Sequence, residues 1–238
     1  MNYKYLVGPI VSRRLGISLG IDPIPLKTCS FDCLYCEVTK TNNKTIQRKE
    51  YFNADEIIKE LKNYLSENKK PDFITFSGSG EPTLNSGLGY MIDEIKKITD
   101  TPVAVITNSS LISDKQVRKE LAKADLVIPS LDAVSENLFK KIDLPHKDLK
   151  INDIIEGLIK FRKEYTGKIW LEIMVLKGFN DTKEEFLKFK EIIKKINPDK
   201  VQLNTLDRAP AYDIAQKADE KKLNSLKEIL ETNNLEII

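Results

Sequence analysis

Short apolar runs alternate along this chain with longer stretches in which apolar residues recur every three or four positions. The short runs are typical of buried strands, and the longer stretches are typical of amphipathic helices. The pattern predicts six strands, at residues 17–21, 73–76, 103–106, 126–128, 169–176 and 201–203. Strands and helices in regular alternation indicate parallel strands joined by helical crossovers.

Capping residues mark where several helices begin. An Asn, Ser or Thr followed three positions later by Glu or Gln is typical of a helix start. This pattern occurs at Asn53, Ser113 and Thr182. The apolar spacing predicts further helices at 88–98, 151–161 and 221–230, and we expect the last of these to close the chain.

Six strand–helix units predict the α/β class and, within it, a partial (β/α)6 TIM-like barrel. The chain has 238 residues, close to the roughly 250 of a complete barrel. We therefore expect one domain over residues 1–238. Reacting sites in parallel α/β folds lie at the carboxyl ends of the strands, so the segments that follow the strands are the candidates for chemistry.

The charge and hydrophobicity of the chain argue against some classes of function. The net charge is +2, from 38 basic and 36 acidic side chains, which argues against a general polyanion binder but leaves room for a local basic patch. No run approaches the ~18 apolar residues of a membrane span. The first residues lack a signal-peptide pattern. We expect a cytoplasmic protein that does not enter the membrane.

The three cysteines of the chain, Cys29, Cys33 and Cys36, stand together after the first predicted strand, with the spacing C-x3-C-x2-C. One short loop with this spacing can wrap three thiolates around a compact metal centre. Cysteine thiolates are the usual ligands of the four irons of a [4Fe-4S] cluster. Three cysteines leave one iron open to a reacting molecule, which favours catalysis over simple electron transfer.

This loop resembles the signature of the radical SAM superfamily. The resemblance implies that the open iron chelates S-adenosylmethionine, and that one electron from the cluster cleaves this cofactor to a 5′-deoxyadenosyl radical that removes a hydrogen atom from a substrate. Residues 12–36 and 77–84 look closest to an uncharacterised group of small radical SAM proteins related to the tRNA wyosine-synthase branch. Archaeal wyosine-forming enzymes use further cysteines for a second cluster, and this chain has none.

The resemblance also implies which residues bind S-adenosylmethionine. The segment Gly78, Ser79, Gly80 and Glu81 stands where family members bind the methionine ammonium group, with a serine in place of one glycine. The other expected contacts are Tyr35 at the cluster or adenine, Ser130 and Asp132 at the methionine carboxylate or ribose, Glu172 at ribose or substrate, Asn204 near adenine, and Asn108 at the cofactor or substrate.

Several alternatives stay open. The cysteines could hold structural zinc, although a closed zinc site needs four ligands and the only histidine, His146, lies far along the chain. Asn108 could belong to a plain turn, Asp132 could cap a helix, and Glu172 could pair with a basic residue. Arg208 could bind substrate or pair with Asp207 or Asp213, His146 could move protons or lie on the surface, and residues 40–51 could form a lid or a solvated loop.

Three functions are consistent with these features. The first is a radical SAM enzyme that modifies a large substrate such as tRNA or protein, reduced by a carrier such as ferredoxin or flavodoxin. The second is a radical SAM enzyme for a small metabolite, or an activase of a partner enzyme. The third is a non-catalytic Fe–S or zinc module.

Overall fold

The computed structural model of the protein describes residues 3–230 and 235–238. Its strands are β1 (Leu6–Ser12), β2 (Gly16–Ile21), β3 (Thr28–Cys29), β4 (Asn43–Lys44), β5 (Phe73–Phe76), β6 (Val103–Thr107), β7 (Leu126–Pro129), β8 (Lys168–Met174), β9 (Lys200–Asn204) and β10 (Leu235–Ile237). Its helices are α1 (Ala54–Glu67), α2 (Leu88–Ile98), α3 (Lys115–Leu121), α4 (Glu136–Ile142), α5 (Ile151–Glu164), α6 (Lys183–Ile196) and α7 (Glu220–Leu230), with a 3-10 helix at Pro82–Leu84.

The eight larger strands form one sheet in the order β1-β2-β5-β6-β7-β8-β9-β10. From β2 to β10 all neighbours are parallel, and β1 is antiparallel to β2 at the edge. The six predicted strands are β2, β5, β6, β7, β8 and β9, and they lie side by side in chain order. The prediction of an α/β fold built on a parallel sheet is confirmed.

Two local predictions were wrong, and one edge strand was missed. The helix at 221–230 is followed by β10, whose three residues are too few to give a recognisable apolar pattern. The edge strand β1 was not predicted, because its side chains are mostly exposed. The third helix begins after Asp114 rather than Ser113, since the Asp114 side chain accepts the Gln116 N–H at 2.7 Å.

The two faces of the sheet carry different cores. Residues such as Ile74, Val105 and Leu171 point to the helices and belong to the main hydrophobic core. The opposite face carries a smaller apolar cluster around Leu126 and Ile128 together with polar side chains. Alternation along each strand produces this division, because successive side chains point to opposite faces.

The sheet curls strongly. β2 and β8 stand four positions apart in the strand order, which is about 19 Å in a flat sheet. Arg14, in the turn between β1 and β2, nevertheless forms an ion pair with Glu172 of β8. Arg13 of the same turn lies 3.5 Å from Asp207, which follows β9. These contacts require a curled sheet, as expected for a partial TIM-like barrel.

Asn180 joins the ends of two neighbouring strands. Its amide nitrogen donates to the backbone carbonyls of Asp132, after β7, and Met174, at the end of β8, at 2.8 and 2.7 Å. Its amide oxygen accepts the N–H of Leu176 at 2.8 Å. The side chain is fully buried, so it satisfies three backbone groups that water does not reach.

Replacing Asn180 with Ala leaves these three groups without partners. Because an unsatisfied buried polar group costs about 1–3 kcal/mol, we expect the free energy of unfolding in urea to fall by about 3 kcal/mol. Asn63→Ala, at an exposed position of α1, is the control and should change it by less than about 0.5 kcal/mol. Equal stabilities of the two variants would contradict the role given to Asn180.

Candidate functional site

The cysteine loop is held between two other segments. Cys29 belongs to β3, which pairs with β4 in a small two-stranded sheet. Farther along the loop, the N–H groups of Asp32 and Leu34 donate to the carbonyls of Asp143 and Ile142, at 3.0 and 2.9 Å. These carbonyls lie at the C-terminal end of α4, where helix carbonyls have no intrahelical partner. The end of α4 therefore fixes the path of the loop.

All three thiols are free and half-buried, and two receive side-chain donors. Lys27 Nζ donates to Cys36 Sγ at 3.0 Å, and Asn108 Nδ2 donates to Cys29 Sγ at 3.5 Å. Burial raises the pKa of the Cys29 thiol to about 11 and raises the pKa of Cys33 well above its usual value. Since thiolates are the metal-binding form, metal binding here releases protons.

Gly80 lets the loop after β5 lie directly against the cysteine loop. A Cβ at this position would overlap the carbonyl oxygen of Thr28. That carbonyl accepts the N–H of Glu81 at 3.2 Å, and the N–H of Lys27 donates to the carbonyl of Ser79 at 2.8 Å. Only glycine permits so close an approach. The two loops are thus joined by backbone hydrogen bonds at the residue before the first cysteine.

The carboxylate of Glu81 is buried and hydrogen-bonded through both oxygens. It accepts the N–H and hydroxyl of Thr83 at 3.0 and 2.6 Å, the hydroxyl of Thr107 at 2.6 Å and the N–H of Asn108 at 2.8 Å. Three of these bonds fall on Oε1 and one, from Asn108, falls on Oε2, and each carboxylate oxygen has about two acceptor sites. Oε2 can therefore accept a further donor, and that Glu81 binds the methionine ammonium group stays a prediction.

Asp22 supplies a free acceptor in the same region, and the sequence analysis missed it. Its Oδ2 accepts the N–H and hydroxyl of Ser79 at 3.2 and 2.5 Å. Its Oδ1 is buried without a hydrogen-bond partner and lies against Gly78. Burial raises the pKa of this carboxyl group. An unpartnered buried carboxylate oxygen is costly, and a ligand with a cationic donor would satisfy it.

Five of the predicted site residues line one cleft of about 300 Å³. Its walls include Cys33, Tyr35, Cys36, Glu172 and Asn204. These residues come from the cysteine loop and from the ends of β8 and β9, which the curled sheet brings together. The cleft is therefore the place where a ligand can contact both the cysteine loop and the strand ends.

The other predicted residues lie around this cleft. Gly78 lines a neighbouring cavity of about 140 Å³ between β1, β2 and β5. Asn108, Ser130 and Asp132 line a small space of about 10 Å³ beside Phe31 of the cysteine loop. Asn108 and Asp132 hydrogen-bond the cysteine loop, at Cys29 Sγ and at the Tyr35 hydroxyl, but none of the three residues lines the open cleft.

Two buried carboxyl groups adjoin the cysteine loop. Asp132 accepts the hydroxyl of Tyr35, and its other oxygen accepts the N–H of Met174 at 2.7 Å. Asp143 accepts the thiol of Cys33 at 3.7 Å. Burial raises the pKa of Asp132 to about 6, and burial with the nearby Asp132 raises the pKa of Asp143 well above its usual value. Asp132 thus anchors Tyr35, and the alternative that it caps a helix is wrong because the N-cap of α4 is Ser135.

Three arginines at the rim of the cleft are each paired with a carboxylate. The pairs are Arg13–Asp207, Arg14–Glu172 and Arg208–Glu37. Glu172 therefore has a structural partner, an arginine from the far side of the sheet. Arg208 Nε lies 2.8 Å from Glu37, so its partner is neither of the aspartates considered from the sequence. The paired charges leave the rim close to neutral.

Residues 40–51 and His146 lie outside the cleft. Arg48 donates to the carbonyl of Thr83 at 2.8 Å and pairs with a buried carboxylate of α3. Segment 40–51 is therefore attached to the fold at Arg48, while none of its residues is buried. The backbone N–H of His146 donates to the carbonyl of Ser30 at 2.8 Å.

Comparison with known proteins identifies the family. The model of the Radical SAM superfamily matches residues 24–190, well over half of the chain. The chain belongs to the radical SAM superfamily. Members of this superfamily bind a [4Fe-4S] cluster and S-adenosylmethionine. The resemblance found from the sequence and the expected pair of cofactors are thereby confirmed.

Relatives of this radical SAM chain are longer proteins. The chain is 47% identical over 230 residues to "GTPase Obg" of Brachyspira hyodysenteriae, which covers 97% of this chain and 34% of that protein. It is 43% identical over 206 residues to a UPF0026 protein of Methanocaldococcus jannaschii, covering 86% and 64%. The chain thus spans about a third of the first relative and just under two thirds of the second.

A solved structure supports the fold assignment. The structure of TYW1 with a bound lysine–pyruvate adduct superposes with a TM-score of 0.67 at 18% identity, covering 91% of this chain and 74% of that one. At this identity the likeness shows the fold alone. Within the described ranges, no helix is long and apolar enough to cross a membrane.

The residues of the radical SAM site fit the cluster and its cofactor. Three free thiols lie in one loop, donors from Lys27 and Asn108 point at two of the sulfur atoms, and Asp22 offers an unpartnered acceptor nearby. A single zinc ion fits less well. A closed zinc site needs four ligands, whereas the loop supplies three cysteines.

The close approach at Gly80 yields a test of how the two loops depend on each other. In Gly80→Ala the new Cβ pushes against the Thr28 carbonyl, and such overpacking costs about 1–3 kcal/mol. We expect lower stability and less iron bound after reconstitution, measured by denaturation and by iron assay. Gly87→Ala is the milder control, because its Cβ would meet the side chains of Asn85 and Ala54 at 3.1 and 3.2 Å and would overlap no backbone atom. Wild-type iron content in Gly80→Ala would contradict this coupling.

The Arg14–Glu172 pair yields a second test. Its side chains are only 20% and 13% exposed, and removing one partner of a buried pair costs about 3–5 kcal/mol. We therefore expect Glu172→Gln to lower the free energy of unfolding by about 3 kcal/mol. The double variant Arg14→Met/Glu172→Met should lie within about 1 kcal/mol of wild type, because apolar side chains can replace such a pair.

An exposed ion pair provides the control for this series. Lys70 and Asp100 also form an ion pair, but their side chains are 50% and 88% exposed. Asp100→Asn should change stability by less than about 1 kcal/mol. If Glu172→Gln lowers the free energy of unfolding no more than Asp100→Asn does, the Arg14–Glu172 pair does not stabilise the curled sheet.

Proposed function

We propose that this protein is a radical SAM enzyme that cleaves S-adenosylmethionine reductively and removes a hydrogen atom from a large substrate, a tRNA or a protein. The observation that supports this most strongly is the cleft of about 300 Å³, in which Cys33 and Cys36 face the strand-end residues Glu172 and Asn204. We propose a single radical SAM domain over residues 1–238.

Cys29, Cys33 and Cys36 would hold the cluster. When bound, the cluster and S-adenosylmethionine supply a 5′-deoxyadenosyl radical. Lys27 and Asn108 direct hydrogen bonds to the sulfur atoms, which stabilises negative charge on the thiolates. Asp132 holds the hydroxyl of Tyr35, which fixes the aromatic ring at the wall of the cleft.

The free oxygen of Asp22 is the acceptor we assign to the ammonium group of S-adenosylmethionine. The adjacent segment of Gly78, Ser79 and Gly80 offers the backbone that the family resemblance implies at this place. Glu81 holds this segment in place by accepting hydrogen bonds from the hydroxyl groups of Thr83 and Thr107. In this assignment Glu81 shapes the site and Asp22 contacts the ligand.

The size of the cleft supports a large substrate. Ligand pockets usually measure about 300–1,000 Å³, so a cofactor of the size of S-adenosylmethionine takes up most of this one. A substrate must then present its reacting group from the open rim. The charged rim side chains Arg13, Arg208 and Asp207 are exposed there and can contact a macromolecule. Since the rim charges are paired, we expect recognition to rest on more than general attraction to phosphates.

Anaerobic reconstitution tests this proposal. Wild-type protein loaded with iron and sulfide, reduced with dithionite and given S-adenosylmethionine should form 5′-deoxyadenosine, detected by chromatography. Cys33→Ala should lose both the cluster absorbance and the product, because the cluster loses a ligand. Ser66→Ala, on α1, is the control and should keep both.

Two results would contradict the proposal. One is intact cluster absorbance in Cys33→Ala, which would exclude Cys33 as a ligand. The other is a fully loaded wild-type protein that fails to bind S-adenosylmethionine, which would favour a non-catalytic Fe–S module.

A further inference from the structure

A second pocket, of about 280 Å³, lies outside the cleft. It is lined by the apolar residues Leu144, Pro145 and Leu149, by the lysine residues Lys44, Lys140 and Lys147, and by His146. The three lysine residues are exposed. We refer to it as the basic pocket.

The basic pocket adjoins the cysteine loop. Lys44 is the partner of Cys29 in the pairing of β3 with β4. The N–H of His146 donates to the carbonyl of Ser30 at 2.8 Å, and Lys44 Nζ donates to the carbonyl of Leu144 at 2.8 Å. The other two cysteines line the cleft. The cleft therefore lies beside Cys33 and Cys36, and the basic pocket lies beside Cys29.

Positive charge is concentrated around this pocket. Residues 40–51 and 140–150, which include its lining residues, carry eight basic and three acidic side chains. Two of the basic side chains, Arg48 and Lys140, are paired with carboxylates outside these segments, Glu120 and Glu136. This excess of five exceeds the net charge of +2 of the whole chain, so the rest of the chain is net negative. A basic patch of this kind attracts acidic partners and speeds their association.

We propose that the basic pocket is the docking site of a small acidic electron-carrier protein, which reduces the cluster held by the three cysteines. This inference rests on the proposed function. With a flavin carrier, the anionic hydroquinone gives up one electron and becomes the neutral semiquinone, and the cluster gains that electron. Docking beside Cys29 and Ser30 brings the carrier to the cluster and leaves the cleft free for substrate.

The position of the pocket favours an electron carrier over RNA. Phosphate groups would also be attracted to these lysines. A substrate RNA, however, must place a nucleotide in the cleft, whereas the basic pocket touches the cysteine loop at its first cysteine. An electron carrier must approach the cluster but does not have to enter the cleft. A carrier bound at the basic pocket meets this requirement.

Charge reversal tests the proposal. The variants are Lys140→Glu/Lys147→Glu and the milder Lys140→Gln/Lys147→Gln, which serves if charge reversal impairs folding. Lys59→Glu/Lys62→Glu, at exposed positions of α1, is the control with the same change in net charge. The probe is a flavodoxin. Its Kd is measured by calorimetry as a function of salt, and the rate at which its hydroquinone reduces the cluster is measured by stopped flow.

We expect charge reversal in the pocket to weaken flavodoxin binding about tenfold or more, and neutralisation to weaken it about threefold, because complementary charges at an interface set association. The salt dependence of Kd should decrease in both. The control variant should bind within about twofold of wild type. Reduction of the cluster by dithionite should be equal in all variants, since it bypasses docking.

Either of two results would overturn the inference. One is that the pocket and control variants bind flavodoxin equally. The other is that the pocket variants lose affinity for tRNA and keep it for flavodoxin. The dithionite reaction separates this inference from the proposed function. Failure of wild type to make 5′-deoxyadenosine with dithionite counts against the enzyme activity, whereas the flavodoxin Kd decides the docking site.

Discussion

The curl of the parallel sheet is the constraint on which the site depends. Each strand by itself exposes only one or two polar residues at its carboxyl end. The curl brings the ends of β8 and β9 opposite the turn between β1 and β2, where Arg14 meets Glu172. Without the curl, the cysteine loop would face solvent and the residues of β8 would lie far from it. The ion pair is thus both a consequence of the curl and a contact that stabilises it.

Charge is distributed unequally between the two sides of the cysteine loop. At the rim of the cleft each arginine has a carboxylate partner, so charges there are largely neutralised. Around the basic pocket the lysines outnumber the carboxylates, although Lys140 is paired with Glu136. Paired charges favour orientation of a ligand through specific contacts, and unpaired charges favour rapid attraction of a charged partner. The two surfaces are therefore suited to different partners, although the whole chain is nearly neutral.

Much of the fold could be predicted from the sequence, because buried parallel strands are apolar runs with distinct ends. The cysteine loop and the strand-end segments could be placed for the same reason. The pairing of Arg14 with Glu172 could not be predicted. The two residues are 158 positions apart, and neither belongs to a sequence motif that indicates its partner. The edge strands escaped prediction for a different reason. β1 is largely exposed and β10 is only three residues long, so neither has the apolar pattern of a central strand.

The substitution of serine for a glycine at Ser79 has a physical reason in the structure. Its hydroxyl and N–H both bind Oδ2 of Asp22, so they hold one carboxylate oxygen and leave the other unpartnered. A glycine there would supply only the N–H and would hold the carboxylate less firmly. The cost of keeping Oδ1 buried and unpartnered falls on the free protein, and a cationic ligand removes it. At this position the chain departs from the family pattern, and the departure orients an acceptor that the pattern alone does not provide.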